Sequence, residues 1–203
     1  MTARKPVGAL IFALLPALMI FGNTGTATAP TTTAAVRPAA AATVPTVCRT
    51  PARRGFWPLR ATVARVGRNI PVLAMGRGAG HVPLPPPLTT SGKRSFAWDR
   101  EGPKPGSAYG NVRFNAHTYP DGSALGNRLL GRLRVGARII LYGDGVALCY
   151  KVNRKVVTTP RHLGGYYSTT GRPKLAIVVC SGKRLGPGNW TRRTIWYAKP
   201  SVS

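Results

Sequence analysis

Leu175-Ala-Ile-Val-Val-Cys180 is an unbroken apolar run, and the polar, basic stretch Ser181-Gly182-Lys183-Arg184 follows it at once. A run of this length, rich in β-branched residues and closed by a glycine-containing segment, reads as a buried strand. That reading puts Cys180 at a strand's end beside basic side chains, a setting that exposes a thiol and favours its thiolate. Further on, Arg193–Ala198 alternates, with Thr194, Trp196 and Ala198 against Ile195 and Tyr197. Upstream, Asn111-Val-Arg-Phe-Asn-Ala-His117 reads as another strand, ended by the turn Thr118-Tyr-Pro-Asp-Gly122.

Working outward, strands are expected at Leu59–Val66, Ile70–Met75, Arg138–Tyr142, Val146–Val152 and Lys155–Thr158, each bounded by Gly, Pro or polar residues. One short helix is expected around Ser123–Leu133, where Leu125, Leu129 and Leu133 recur every four residues. Gly126 and Gly131 weaken it. The prolines at 83, 85, 86 and 87, and Gly102-Pro-Lys-Pro-Gly106, exclude regular structure where they stand. Many short strands with Gly/Pro turns and one helix predict an all-β fold, a closed or partly closed barrel.

The chain has 203 residues, 30 Lys+Arg against 4 Asp+Glu, and a net charge of +26. Such a field attracts polyanions without choosing among them. The basic residues are mostly arginine and are scattered, with no basic helix and no nucleic-acid motif, so no specific nucleic-acid partner is expected. The cysteines are Cys48, Cys149 and Cys180. They form no CxxC pair, and His81, His117 and His162 show no HxxxH spacing, so neither a zinc site nor any cofactor is expected. Cys149 sits inside an apolar strand and suits a buried position. Cys48 and Cys149 are expected either as a disulfide, leaving Cys180 free, or as two separate thiols.

Arg4 and Lys5 precede the apolar run Val7–Phe21, the order of an export signal. Residues 1–29 are therefore read as a signal peptide or a retained N-terminal membrane anchor. Residues 30–47 are almost entirely Ala, Thr and Pro and read as an extended linker. Residues 48–203 are left for the domain, a length that can bury a core without disulfide or metal. The expected location is the outer face of the cell membrane.

Four segments, taken together, resemble a known family: Gly110–Asn127 with its Ala-His-Thr at 116–118, Leu133–Tyr142, Leu175–Cys180, and Trp190-Thr-Arg-Arg-Thr-Ile-Trp-Tyr-Ala198. In this order and spacing the chain resembles the sortases, most of all the class F sortases of actinobacterial type. The resemblance implies a closed eight-stranded β-barrel with one or two short helices. It implies that Cys180 is the nucleophile, that His117 is the acid–base partner and that Arg193 stabilises the oxyanion or aligns the substrate. Arg192 is adjacent, and strand alternation allows only one of the two to face Cys180. The implied reaction is cleavage of a Leu-Pro-x-Thr-Gly sorting signal between Thr and Gly, through a thioacyl enzyme that an amine resolves. Implied partners are surface proteins bearing that signal, an amine acceptor such as a peptidoglycan precursor or a pilin lysine, and the membrane. At ordinary pKa values only about one hundredth of the Cys/His pair is thiolate–imidazolium.

The family usually has threonine before the cysteine, and this chain has Val179. The loss of a hydroxyl beside the oxyanion is expected to slow turnover, and Val179→Thr to restore it. Specificity is expected within residues 153–173 and around Tyr119. The alternative is a catalytically weak sortase-like domain that binds cell-wall polyanions through its charge.

Overall fold

Eight strands close on themselves in the order β1-β2-β3-β4-β7-β8-β6-β5. They are β1 (Arg60–Val63), β2 (Gly67–Met75), β3 (Phe96–Asp99), β4 (Asn111–Ala116), β5 (Arg138–Gly143), β6 (Val146–Thr158), β7 (Lys174–Gly186) and β8 (Asn189–Pro200). This computed structural model describes residues 54–143 and 145–202. The N-terminal apolar segment, the Ala/Thr/Pro linker and Cys48 lie outside them. No helix among the described residues is long and apolar enough to cross a membrane.

Two neighbour pairs are parallel, β2 with β3 and β4 with β7; the other pairs are antiparallel. Alternation then sorts the side chains. Val112, Phe114 and Ala116 of β4, Leu175, Ile177 and Val179 of β7, and Trp196 and Ala198 of β8 share the barrel's interior cluster. On the other face, Ala176, Val178, Ile195 and Tyr197 form a second cluster with Tyr166, which belongs to the 3-10 turn Gly164–Tyr167 between β6 and β7. Strand β7 is thus covered on both faces over its first half. That is why its sequence is continuously apolar rather than alternating.

The single α-helix among the described residues, α1 (Leu125–Arg132), delivers Leu125 and Leu129 to the interior cluster, with Leu133 just beyond its end. The four-residue leucine spacing is what places them on one face. The proline stretch between β2 and β3 and the stretch 102–106 carry no helix or strand, as their prolines require.

Strand β1 is shorter than the expected 59–66 and β2 begins earlier, at Gly67, and three further features of the strands differ from expectation. Strand β3 was not anticipated. Its four residues are all buried, and the last is a carboxylate, so neither alternation nor a clean apolar run marks it. Residues 146–152 and 155–158 are one strand, β6, with a bulge between Val152 and Arg154 that breaks the pattern. Strands β7 and β8 also extend past Cys180 and before Arg193 into a long hairpin, where polar and glycine residues hide the pairing Arg184↔Trp190.

The buried carboxylate of Asp99 anchors the outer face. Arg77 grips it with two nitrogens, Nη2 to Oδ2 at 2.9 Å and Nε to Oδ1 at 3.1 Å. Arg113 brings Nε to 2.9 Å from Oδ2 and donates from Nη1 to the Tyr167 carbonyl at 3.0 Å. A side chain at Gly102 would collide with that guanidinium, its Cβ falling 2.2 Å from Nη2. Asn111 donates to the carbonyls of Gly165 and Tyr166, and the Tyr166 hydroxyl donates to Phe114 O at 3.2 Å. These bonds hold the β6–β7 segment over the outer face of β4 and β7.

Candidate active site

The register of three strands brings the sequence-derived candidates together. Cys180 is the direct cross-strand partner of Arg193, and Ser181 that of Arg192. Facing residues of an antiparallel pair share a face. Arg193 therefore shares the face of Cys180, and Arg192 is exposed on the other. On the other side of β7, the parallel ladder with β4 runs to Ala116↔Val179. One further step in that register sets His117 beside Cys180. His117, Cys180 and Arg193 all line one cavity of about 580 Å³ on the outer face of the barrel.

Three segments wall this cavity. The β2–β3 connection supplies Val82, Pro83, Pro85 and Leu88, and the β6–β7 connection Leu163, Tyr166 and Tyr167. The β7–β8 hairpin supplies Arg184 and Trp190. Tyr119 lines it as well, so the expected specificity regions are part of the wall. The β2–β3 connection and the hairpin were not foreseen, because their contribution depends on long-range packing.

His117 is oriented by main-chain groups. Its Nε2 lies 2.6 Å from the Pro86 carbonyl oxygen. A carbonyl can only accept, so Nε2 carries the proton and the neutral ring keeps its lone pair on Nδ1. The His117 carbonyl accepts from Gly126 N–H of α1 at 2.7 Å. The turn after it is pinned by Asn127, which accepts from Tyr119 N–H at 3.0 Å and donates to Tyr119 O at 2.9 Å. Thr118 Oγ1 donates to the carbonyl of Cys180 at 2.7 Å, tying the segment after β4 to the middle of β7. Arg193 Nη1 donates to the carbonyls of Trp190 at 3.2 Å and Arg192 at 3.0 Å, which fixes the guanidinium.

Cys180 carries a free thiol, and Cys149 is disulfide-bonded; the partner expected for it, Cys48, lies outside the described residues. Cys180 is only partly exposed. Burial pushes its thiol pKa up, and the Arg193 charge pulls against that without reversing it. The expected thiolate-favouring setting is thus corrected: desolvation at the foot of the cavity outweighs the positive neighbour. Val179 lines the same cavity beside Cys180. It is 2% exposed and also packs into the interior cluster. Among the described residues, no three His, Cys, Asp or Glu side chains are grouped to hold a metal ion.

Comparison with known proteins adds three findings. A family model described as Sortase domain matches residues 62–201. No curated protein matches the sequence. Solved structures with the same fold include sortase C1 of Streptococcus agalactiae, at 18% identity and a TM-score of 0.53, covering 70% of this chain and 66% of that one. Sortase C-1 of Actinomyces oris is similar at 14% identity and a TM-score of 0.53, covering 71% and 73%. Sortase C1 of Streptococcus suis is similar at 14% identity and a TM-score of 0.52, covering 73% of each. The chain thus spans just under two thirds of the S. agalactiae enzyme, and at these identities the likeness is one of fold.

Proposed function

We propose, from the premise that this chain belongs to the sortase family, that it is a cysteine transpeptidase cleaving a Leu-Pro-x-Thr-Gly sorting signal between Thr and Gly. The observation that carries this reading is the convergence of one free thiol, one imidazole and one fixed guanidinium on a single cavity. Such a trio can take an acyl group from a peptide onto the thiol and pass it to an amine.

In the first half-reaction the Cys180 thiolate attacks the threonine carbonyl carbon, and Arg193 faces the developing oxyanion. The C–N bond to glycine breaks as imidazolium His117 gives its Nδ1 proton to the leaving amine; Nε2–H stays on the Pro86 carbonyl throughout. In the second half, an acceptor amine attacks the thioester and gives a proton to Nδ1, and the thiolate leaves. Because burial raises the Cys180 thiol, its thiolate is scarcer than that of an exposed cysteine. Arg193 therefore acts twice, on the thiolate and on the oxyanion.

The motif resemblance supports placement in class F. Residues 1–29 as signal or anchor, 30–47 as linker and 48–203 as catalytic domain agree with an enzyme at the outer face of the membrane. Its partners would be surface proteins bearing the signal and a wall or pilin amine. The test is to incubate the purified chain with a Leu-Pro-x-Thr-Gly peptide library and amine acceptors, and to weigh the protein. A thioacyl adduct on Cys180, lost in Cys180→Ala, is the expected result. No adduct with any peptide, alongside tight binding to anionic wall polymer, would instead favour a polyanion-binding module.

A further inference from the structure

The cavity around Cys180 has an uneven charge. Arg184 and Arg193 line it together with His117, and no carboxylate does among the described residues. The described acids are engaged elsewhere. Asp99 is taken by Arg77 and Arg113, Glu101 accepts from the Arg77 amide, and Asp121 accepts from Ser123. The two arginines also differ. Arg193 is bonded to main-chain carbonyls beside the thiol. Arg184 is exposed at the rim, opposite Trp190 in the hairpin, and its side chain makes no hydrogen bond or ion pair with the described residues.

We infer that Arg184 selects sorting peptides that carry a carboxylate at the variable position immediately before the acylated threonine. This rests on the transpeptidase reading above and narrows its substrate class. The apolar walls suit the leucine and proline of the signal, which leaves the variable side chain as the one free to meet a charge. Arg184 stands four residues beyond Cys180 along β7, at most about 13 Å of strand. The bulge between Ser181 and Arg184 shortens that path. A glutamate side chain next to the acylated threonine and an arginine side chain together span such a distance. A lysine at the same position meets Arg184 and Arg193 with no acid to offset them. Partly solvated ion pairs are worth about a two- to five-fold change in rate at low salt, and salt screens them.

The test measures kcat/KM for acylation of Cys180 in the purified chain with three peptides, Leu-Pro-Glu-Thr-Gly, Leu-Pro-Gln-Thr-Gly and Leu-Pro-Lys-Thr-Gly. The expected order is Glu, then Gln, then Lys, each step about two- to five-fold and shrinking at high salt. In Arg184→Glu the order reverses, with the Gln peptide as the internal reference. Equal rates for the three peptides, or an order that Arg184→Glu leaves unchanged, overturns the inference and leaves the transpeptidase reading standing. If Cys180 reacts with iodoacetamide but is acylated by none of the peptides, the transpeptidase reading falls and the inference with it.

Discussion

Replacing Gly126 with alanine tests how the fold positions His117. Gly126 is the second residue of α1, and its N–H is bonded to the His117 carbonyl at 2.7 Å. A Cβ there would lie 2.4 Å from that oxygen and 2.5 Å from Thr118 Oγ1, where ordinary contact begins near 3.4 Å. The helix and the 117–118 segment must therefore separate by about 1 Å. Overpacking of this kind costs about 1–3 kcal/mol, and the stretched hydrogen bond about 1 more. The better helix propensity of alanine offsets about 1 kcal/mol. A net loss of roughly 1–3 kcal/mol lowers Tm by about 2–12 °C in a domain of this size. The catalytic loss is larger, because a 1 Å displacement of an acid–base group costs about a hundred-fold. Gly131→Ala is the control. It lies on the same helix with nothing within 4 Å of its would-be Cβ, and it should raise stability by up to about 1 kcal/mol. The assay pairs thermal unfolding with the acylation rate of Cys180. Gly126→Ala with wild-type values in both would refute the reasoning.

Four more outcomes are expected. Alkylation of Cys180 should rise with pH around a midpoint above the ordinary thiol value, since burial disfavours the thiolate, and Arg193→Ala should move the midpoint higher by removing the opposing charge; a lower midpoint in the variant contradicts this. Val179→Thr should raise the acylation rate, since position 179 lines the cavity beside Cys180, and cost about 1–3 kcal/mol in a denaturant titration, since the site also packs into the apolar interior; an unchanged rate would remove the oxyanion role. Nitrogen-15 NMR at a pH where the imidazole is uncharged should show His117 protonated at Nε2 and bare at Nδ1, and the reverse pattern would exclude the bond to Pro86. Non-reducing peptide mapping should find Cys149 in a disulfide and Cys180 as an alkylatable thiol.

The sequence carried the barrel and the three candidate residues, because both rest on local signals. The apolar run ending at Cys180, the strand ending at His117 and the alternation after Arg193 are all short-range patterns. Even the choice between Arg192 and Arg193 reduces to period two once Cys180↔Arg193 is known. What stayed hidden depends on distant partners. Strand β3 is recognisable only when Arg77 and Arg113 are seen to neutralise Asp99. The Pro86 carbonyl has no signature in a sequence, since 31 residues separate it from the ring it orients. The raised thiol of Cys180 depends on walls contributed by three separate connections, and the side chain of Val179 could be placed only by fixing which face of β7 is inside.

The parallel pairing of β4 with β7 also bears on how the molecule is made. Between Ala116 and Lys174 lie α1, β5 and β6, so the ladder that sets His117 beside Cys180 closes a long loop. Local hairpins such as β5–β6 and β7–β8 can zip early, but loop-closure entropy delays contacts between segments this far apart. A refolding chain should regain most of its strand signal before its thiol and imidazole meet. Recovery of peptide acylation would then mark the end of folding, and a chain stalled short of it would carry an ordinary, unpartnered cysteine.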